Sequence, residues 1–265
     1  MATTRYEQSL ELFQALGDQV GAALTLFELG GIALVQGDCA DARSLGEESL
    51  QLFRALEDTW GAALSLYQLT LVALDQGALE RAAALGEESL RLIRRSGDKG
   101  SIAVVLNGLG LVAHGQGDYE RAEALYDEGL ALLREQGNKG RIAWSLRNLG
   151  AVEKRRGDYQ RAASLYGESL ALRSELADIG GIARSVAGFA GVALAQGQPA
   201  RAARLLGAAE ALCQATRARL PAVERAEYDD LAAAVRARLD ASTFAAEWAA
   251  GQALTAQEAS AMAME

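Results

Sequence analysis

Two prolines in 265 residues leave almost nothing to interrupt a helix, because proline removes a backbone donor and clashes with the preceding turn. Runs of Val, Ile and Thr that would favour strands are missing. Aromatics make up only 6% of the chain, while 50% is hydrophobic, mostly Ala and Leu, both strong helix formers. These features predict an all-α protein. Only Cys39 and Cys213 are present, far apart in the chain, which gives no sign of a disulfide framework. No apolar run approaches the roughly 20 residues that cross a bilayer. The N-terminal "MATTRYEQSLELF" is amphipathic and lacks the apolar core of a signal peptide. The expectation is a soluble cytoplasmic protein without a membrane partner. A net charge of −9 and a pI near 4.9 argue against direct nucleic-acid binding, since phosphate-backbone binders carry a basic face.

What the chain does have is repetition. Aligned on a period of forty, one Gly recurs at 37, 77, 117, 157 and 197, one Ala at 42, 82, 122, 162 and 202, and one Leu at 45, 85, 125, 165 and 205. A further column holds Asp18, Asp58, Asp98, Asn138 and Asp178. Each column has a physical job. The Gly follows an apolar helical run and can take the left-handed conformation that ends a helix. Asp38, Asp118 or Asp158 comes next and caps the following helix, while the other Asp/Asn column caps the second helix of each unit. The Ala column needs a small side chain where two helices cross. In "YERAEALYDEGLALL" the apolar positions Ala122, Leu125, Tyr126, Gly129, Leu130 and Leu133 form one helical face. Each unit therefore reads as helix–turn–helix, and stacking copies buries faces that one hairpin cannot bury alone. The expected organisation is a half repeat at 1–17, five helical hairpins over 18–216 and a C-terminal cap over 217–265.

This pattern resembles the tetratricopeptide repeat, a unit of about 34 residues with an L-G pair, an Ala and an aromatic. The L-G pair is Leu29-Gly30, Leu109-Gly110 and Leu149-Gly150, weakening to Leu69-Thr70 and Phe189-Ala190. The aromatic is Tyr126 and Tyr166 but Gly46 and Gly86 in the earlier units, and the consensus Pro is absent. The longer unit is like that of bacterial regulators and kinesin-light-chain-like proteins. The resemblance implies a right-handed α-solenoid whose A helices line a concave groove.

At the C-terminal end, "LPAVERAEYDDLAAAVRARLD" has Pro221 in its first turn and an apolar face of Leu220, Val223, Leu231, Val235 and Leu239. Phe244 and Trp248 follow at i, i+4, and "TAQE" from Thr255 to Glu258 reads as a capping box. "ARLLGAAEAL" with these segments is similar to the C-terminal end of large bacterial regulators. In those, a signalling NTPase and a tetratricopeptide array are joined to a LuxR-type, SARP-type or cyclase output domain, which implies a sensor and autoinhibitory scaffold. The N-terminal end starts with a B-type helix that has no A helix before it, so Leu10, Phe13 and Leu16 would lack a neighbour on one side. Excision from a longer chain is the favoured reading; the alternatives are docking of the open end, for instance on a second copy, or fraying of that helix.

No chemistry stands out. G-x-x-x-x-G-K-[ST] is absent, so an NTPase module would lie elsewhere and be a possible partner. "GLGLVAHG" lacks the third Gly of a dinucleotide fingerprint. The single histidine, His114, has no Cys near in sequence to make a metal site, and no Ser sits in a nucleophile elbow. Carboxylates such as those in "GEESL" at 46 and 86 read as solvated faces. No enzyme, cofactor or metal site is expected.

Counting from the L-G pair, the resemblance implies groove positions in each unit. The first two units supply an apolar and aromatic floor that includes Phe27 and Tyr67, and the third supplies Asn107. The fourth supplies Trp144, Arg147, Lys154 and Arg155, and the fifth supplies Arg184. Asn148 matches a position that hydrogen-bonds a bound peptide's backbone in the longer variant. The cations of the fourth and fifth units can grip carboxylates, or else pair with Glu153 and Asp158 nearby. The expected partner is a protein or peptide with an apolar segment and acidic groups. A free-standing adaptor and, further off, a small-molecule receptor are the alternatives.

Overall fold

The computed structural model of the chain describes residues 2–216 and 222–265. The described residues form fourteen α-helices and no strand, an all-α solenoid of helix–turn–helix repeats. The expected start of the cap at Leu220 and Pro221, and the side chain of Val223, lie outside the described residues. The helices gather into two compact units, the first running through Arg121 and the second taking up the chain at Ala122.

In the first unit α1 (Ala2–Leu16) leads into the hairpin α2 (Gln19–Gln36) with α3 (Cys39–Ala55). The hairpin α4 (Thr59–Asp75) with α5 (Leu79–Ile93) follows, and then α6 (Lys99–Gly115). Helix α7 (Tyr119–Gln136) spans the division. The second unit contains α8 (Lys139–Arg156) with α9 (Tyr159–Glu175), and α10 (Ile179–Ala195) with α11 (Pro199–Thr216). It also holds the cap helices α12 (Ala222–Arg236), α13 (Ala241–Gln252) and α14 (Ala256–Met264).

The repeat columns do the work their chemistry predicts. Side chains of Asp18, Asp58, Asp98, Asn138 and Asp178 each accept a backbone N–H two or three residues on, satisfying donors that a helix start leaves orphaned. The glycines at 37, 77, 117, 157 and 197 have φ between 71° and 88°, the left-handed turn that side chains avoid. A second left-handed column was not anticipated. Gly17, Gly97 and Gly137 occupy it at φ 68–72°, but in the same register Glu57 and Ala177 are forced to 57° and 52°. The Ala column is fully buried, 0% exposed at all five positions, where helices cross.

A second ladder is polar. Ser49, Ser89 and Ser169 are buried on B helices and donate to the carbonyls of Ala23, Ala63 and Ala143 at 2.7–2.9 Å. Each such bond ties a B helix to the A helix before it, at a net worth of about 1 kcal/mol. On the outside, arginines reach carboxylates one repeat away: Arg81–Glu47 at 3.0 Å, Arg54–Glu88 at 2.7 Å and Arg134–Glu168 at 3.6 Å. Glu47, Glu88 and Glu168 are thus partly exposed and paired, each pair contributing at most about 1 kcal/mol.

Helix α2 has 18 residues and a mean hydropathy of 1.3, enough by length and composition to cross a membrane. That exceeds the apolar length expected from the sequence. Its small residues Gly21, Ala22, Ala23, Gly30 and Ala33 are buried in the packed unit; for example, Gly21 lies under the Phe13 ring, which a Cβ would meet at 2.4 Å. The apolarity is therefore that of a repeat A helix.

The cap closes the second unit's core. Val235, Phe244, Ala259 and Ala263 join Tyr166, Leu170, Val186, Leu205 and Leu206 in one apolar cluster. Helices α11 and α13 touch backbone to backbone through Gly207 and Gly251, where added Cβ atoms would come within 2.3 Å of Trp248 O and 1.9 Å of Arg204 O. The Phe244 and Trp248 rings meet at a tilt of 32°, with centroids 5.2 Å apart. Thr255 and Glu258 make the capping box that starts α14, whose last carbonyls receive the Arg201 guanidinium at 3.1–3.2 Å.

Candidate functional site

Spacing on α8 puts Arg147, Ala151 and Lys154 on one face at i, i+4 and i+7. On α10, Arg184, Ala187 and Gly188 face the same space, and the three elements α9, α11 and α12 close it with Tyr166, Cys213 and the pair Glu227–Tyr228. The result is a cavity of about 80 Å³ within the second unit. It is several times the roughly 10–15 Å³ that one water needs and far below the roughly 300–1,000 Å³ of an ordinary ligand pocket.

Glycine makes this arrangement fit. A Cβ at Gly188 would come within 2.7 Å of the Tyr166 ring, and one at Gly150 within 2.9 Å. Tyr166 therefore inserts between α8 and α10 only because both are bare there. A Cβ at Gly191 would meet Lys154 Cδ and Nζ at 3.1 Å, so that glycine gives the lysine stem its bed. In the first unit the relation is reversed: Gly46 and Gly86 sit on B helices, and the bulk comes from Leu69 and Leu109 of the A helices, 3.0 and 2.7 Å from the Cβ positions.

The electrostatics are cationic. Burial pulls the Lys154 ammonium below the usual lysine range; Glu227 opposes this, while Arg155 and Arg147 add to it. Lys154 makes no hydrogen bond or ion pair among the described residues. Burial also pushes the Tyr166 and Tyr228 phenols well above their ordinary range, so both remain neutral donors. Tyr228 donates to the Leu206 carbonyl at 2.9 Å. Arg155, exposed at the edge, pairs with Glu227 at 3.4 Å.

The candidate residues read from sequence divide clearly. Arg147, Lys154 and Arg184 come together on the cavity. Arg155 stands beside it through Glu227. Trp144 is half-buried on α8 but does not line the cavity. Asn148 is 3% exposed and Asn107 1% exposed, with the Asn107 amide spent on the Ala103 carbonyl at 3.0 Å. The Asn107 Oδ1 and Asn148 Nδ2 atoms are buried and have no hydrogen-bond partner among the described residues. In the first unit Phe27 and Tyr67 are half-buried. The Tyr67 ring covers Gly108, 2.6 Å from where a Cβ would lie, and Gln68 donates to the Phe27 carbonyl at 2.8 Å. Glu153, considered as a local partner for the basic cluster, serves Arg161 instead at 3.1 Å. His114 is half-buried beside Tyr119, with ring centroids 5.7 Å apart. Among the described residues no group of three or more His, Cys, Asp or Glu could hold a metal ion.

Sequence reasoning missed Glu227, Tyr228 and Cys213. The signal was present in "ERAEY", but the cap was read as a cover for the last repeat and not as a wall of the site.

The fold and its site invite comparison with known proteins. The tetratricopeptide repeat pattern matches residues 21–95, 61–135 and 101–175. No curated protein matches the sequence. Among solved structures, BtubC (BKLC) from P. vanneervenii is 22% identical, with 83% of this chain and 92% of that one covered at a TM-score of 0.66. A Rap protein complexed with Competence and Sporulation Factor is 14% identical over 90% of this chain and 71% of its own, also at 0.66. A Signal Transduction ATPase with Numerous Domains from Pyrococcus horikoshii, which carries a tetratricopeptide repeat sensor, is 16% identical. It is covered over 38% of its length by 93% of this chain, at 0.59. The matched windows overlap in steps of one forty-residue unit and together span more than half of the chain, in register with the Gly, Ala and Asp columns that build its hairpins: the chain belongs to the tetratricopeptide repeat family.

Proposed function

We propose that this chain is a scaffold or sensor domain that binds a protein or peptide segment bearing acidic groups, along the A-helix face of the second unit. The observation that carries the reading is Lys154. A half-buried ammonium with no ion pair among the described residues costs stability, and Arg155 and Arg147 nearby raise that cost in a chain whose net charge is −9. A carboxylate entering the cavity offsets the cost and gains charge-assisted hydrogen bonds. The small cavity volume disfavours a receptor for ordinary small molecules.

The fold is one that a Rap protein uses in a complex with Competence and Sporulation Factor, and another in a complex with the Phr* peptide, which supports a peptide as partner. The array in the Pyrococcus ATPase is a sensor within a longer chain. That supports a place as the regulatory part of a larger bacterial signalling or transcriptional regulator in the cytoplasm. The second reading, a free-standing adaptor, draws on BtubC, 92% of whose chain is covered by this fold. In both readings the protein acts by binding and not by catalysis.

The test is titration of an acidic peptide selected from a random display library against the parent and against R147E/R184E. Binding at least about tenfold weaker in the variant, with the helical circular dichroism unchanged, is the expected result. Equal affinity refutes the reading.

A further inference from the structure

The cavity has an acid of its own. Among the described residues that line it, Glu227 is the only carboxylate, and it comes from the cap and not from a repeat. Its carboxylate reaches Arg155 at 3.4 Å and opposes the burial of Lys154. This hold is light: a single contact at the long edge of an ion pair, with the Glu227 side chain 41% and the Arg155 side chain 51% exposed. The helix that carries it is fixed by other means. Val235 is fully buried, Leu231 packs on the same core, and the Tyr228 hydroxyl holds the Leu206 carbonyl at 2.9 Å. Glu227 can therefore swing away while α12 stays in place.

The geometry points to Glu227 as an internal competitor: a tethered carboxylate that occupies the cation cluster of the second unit until the carboxylate of an acidic peptide replaces it. This rests on the binding role proposed above and adds its regulation. A tethered group competes at a high effective concentration, so it sets a threshold below which weakly acidic segments are excluded. Charge complementarity identifies the occupant as a peptide acid, since Arg147, Lys154 and Arg184 line the cavity and Glu227, held only by Arg155, is drawn up beside them. The neighbours that tune the exchange are Arg147, Lys154, Arg155 and Arg184 on the cationic side, with the neutral phenol of Tyr166 on the cavity wall; the Tyr228 hydroxyl stays on the Leu206 carbonyl.

The experiment uses hexaglutamate as the probe and the whole chain in a C39S background, where Cys213 on the cavity wall is the remaining thiol. Affinity is measured for the parent and for E227Q, a nearly isosteric change, together with the rate at which a maleimide labels Cys213. The expected result is hexaglutamate binding about two- to fivefold tighter in E227Q, the gain from releasing a partly exposed ion pair, and slower Cys213 labelling when the peptide is bound. Hexaglutamate that protects Cys213 but binds E227Q no more tightly than the parent overturns the competitor and leaves the groove reading intact. Binding to neither protein, or binding that leaves Cys213 labelling unchanged, overturns both. The R155Q variant is the second check: it removes the hold on Glu227 without touching the cavity lining. It should leave Cys213 protection by hexaglutamate in place while changing affinity by no more than E227Q does; loss of that protection counts against the competitor.

Discussion

Glu57 and Ala177 stand in a turn column where every other unit has glycine, and both are held at positive φ. A side chain in the left-handed region costs roughly 1–2 kcal/mol. Replacing it with glycine recovers that strain but loosens the unfolded chain, which returns roughly 0.5–1 kcal/mol. The net gain is about 0.5–1 kcal/mol per site. The two turns lie in different units, so their effects should add. E57G/A177G is therefore expected to be about 1–2 kcal/mol more stable than the parent, which raises the melting temperature by about 2–8 °C at this chain size. Thermal melts followed by circular dichroism, with urea midpoints alongside, read the change. Gly97→Ala is the matched control. A Cβ there meets nothing within 4 Å, so its expected loss of about 0.5–1 kcal/mol, the strain less the stiffening of the unfolded chain, is conformational alone. A double variant no more stable than the parent, together with a harmless Gly97→Ala, would refute the claim that this second column is a left-handed one under strain.

Other outcomes follow from the site. K154M keeps the stem along Gly191 and removes the half-buried charge, so it should raise stability by about 1 kcal/mol while weakening acidic-peptide binding about tenfold; a loss of stability would show the ammonium to be structural. G188A drives a Cβ to within 2.7 Å of the Tyr166 ring and should cost about 1–3 kcal/mol by overpacking, read as a lower urea midpoint. For Asp178, burial alone would raise the carboxyl, but the Gly181 N–H and the Arg173 guanidinium outweigh it and hold it below the usual range. A depressed folded pKa gives stability that is full above the unfolded value, near 3.9, and is lost as pH falls through the folded one. The urea midpoint of D178N should thus lie below the parent's at neutral pH and converge on it in acid, and a gap that persists in acid would contradict the assignment.

The repeat was legible because it depends on local rules. Asp18 and its equivalents cap whatever the tertiary context, Gly37 and its equivalents need only backbone freedom, and Ala42 and its equivalents mark close crossings. The basic cluster came from the resemblance: counting groove positions from the L-G pair gave Arg147, Lys154 and Arg184, and all three line the cavity described above. What sequence could not give was what faces them. Glu227 and Tyr228 are brought to the cluster by a cap that obeys no repeat register, and the serine ladder of Ser49, Ser89 and Ser169 looks like ordinary polar spacing until its carbonyl partners are seen. Asn107 and Asn148 were placed by analogy with positions that face a ligand, and both side chains are buried in the described structure.

The most direct test of the central claim is where a bound peptide lies. An acidic peptide from the display selection, carrying a benzophenone photocrosslinker beside its acidic residue, is irradiated on the whole chain and the adducts are mapped by mass spectrometry. The account predicts adducts on α8 and α10 around Arg147, Lys154 and Arg184, and on α12 beside Glu227. Adducts confined to the outer B helices, where Glu47, Glu88 and Glu168 meet their arginines, would contradict it.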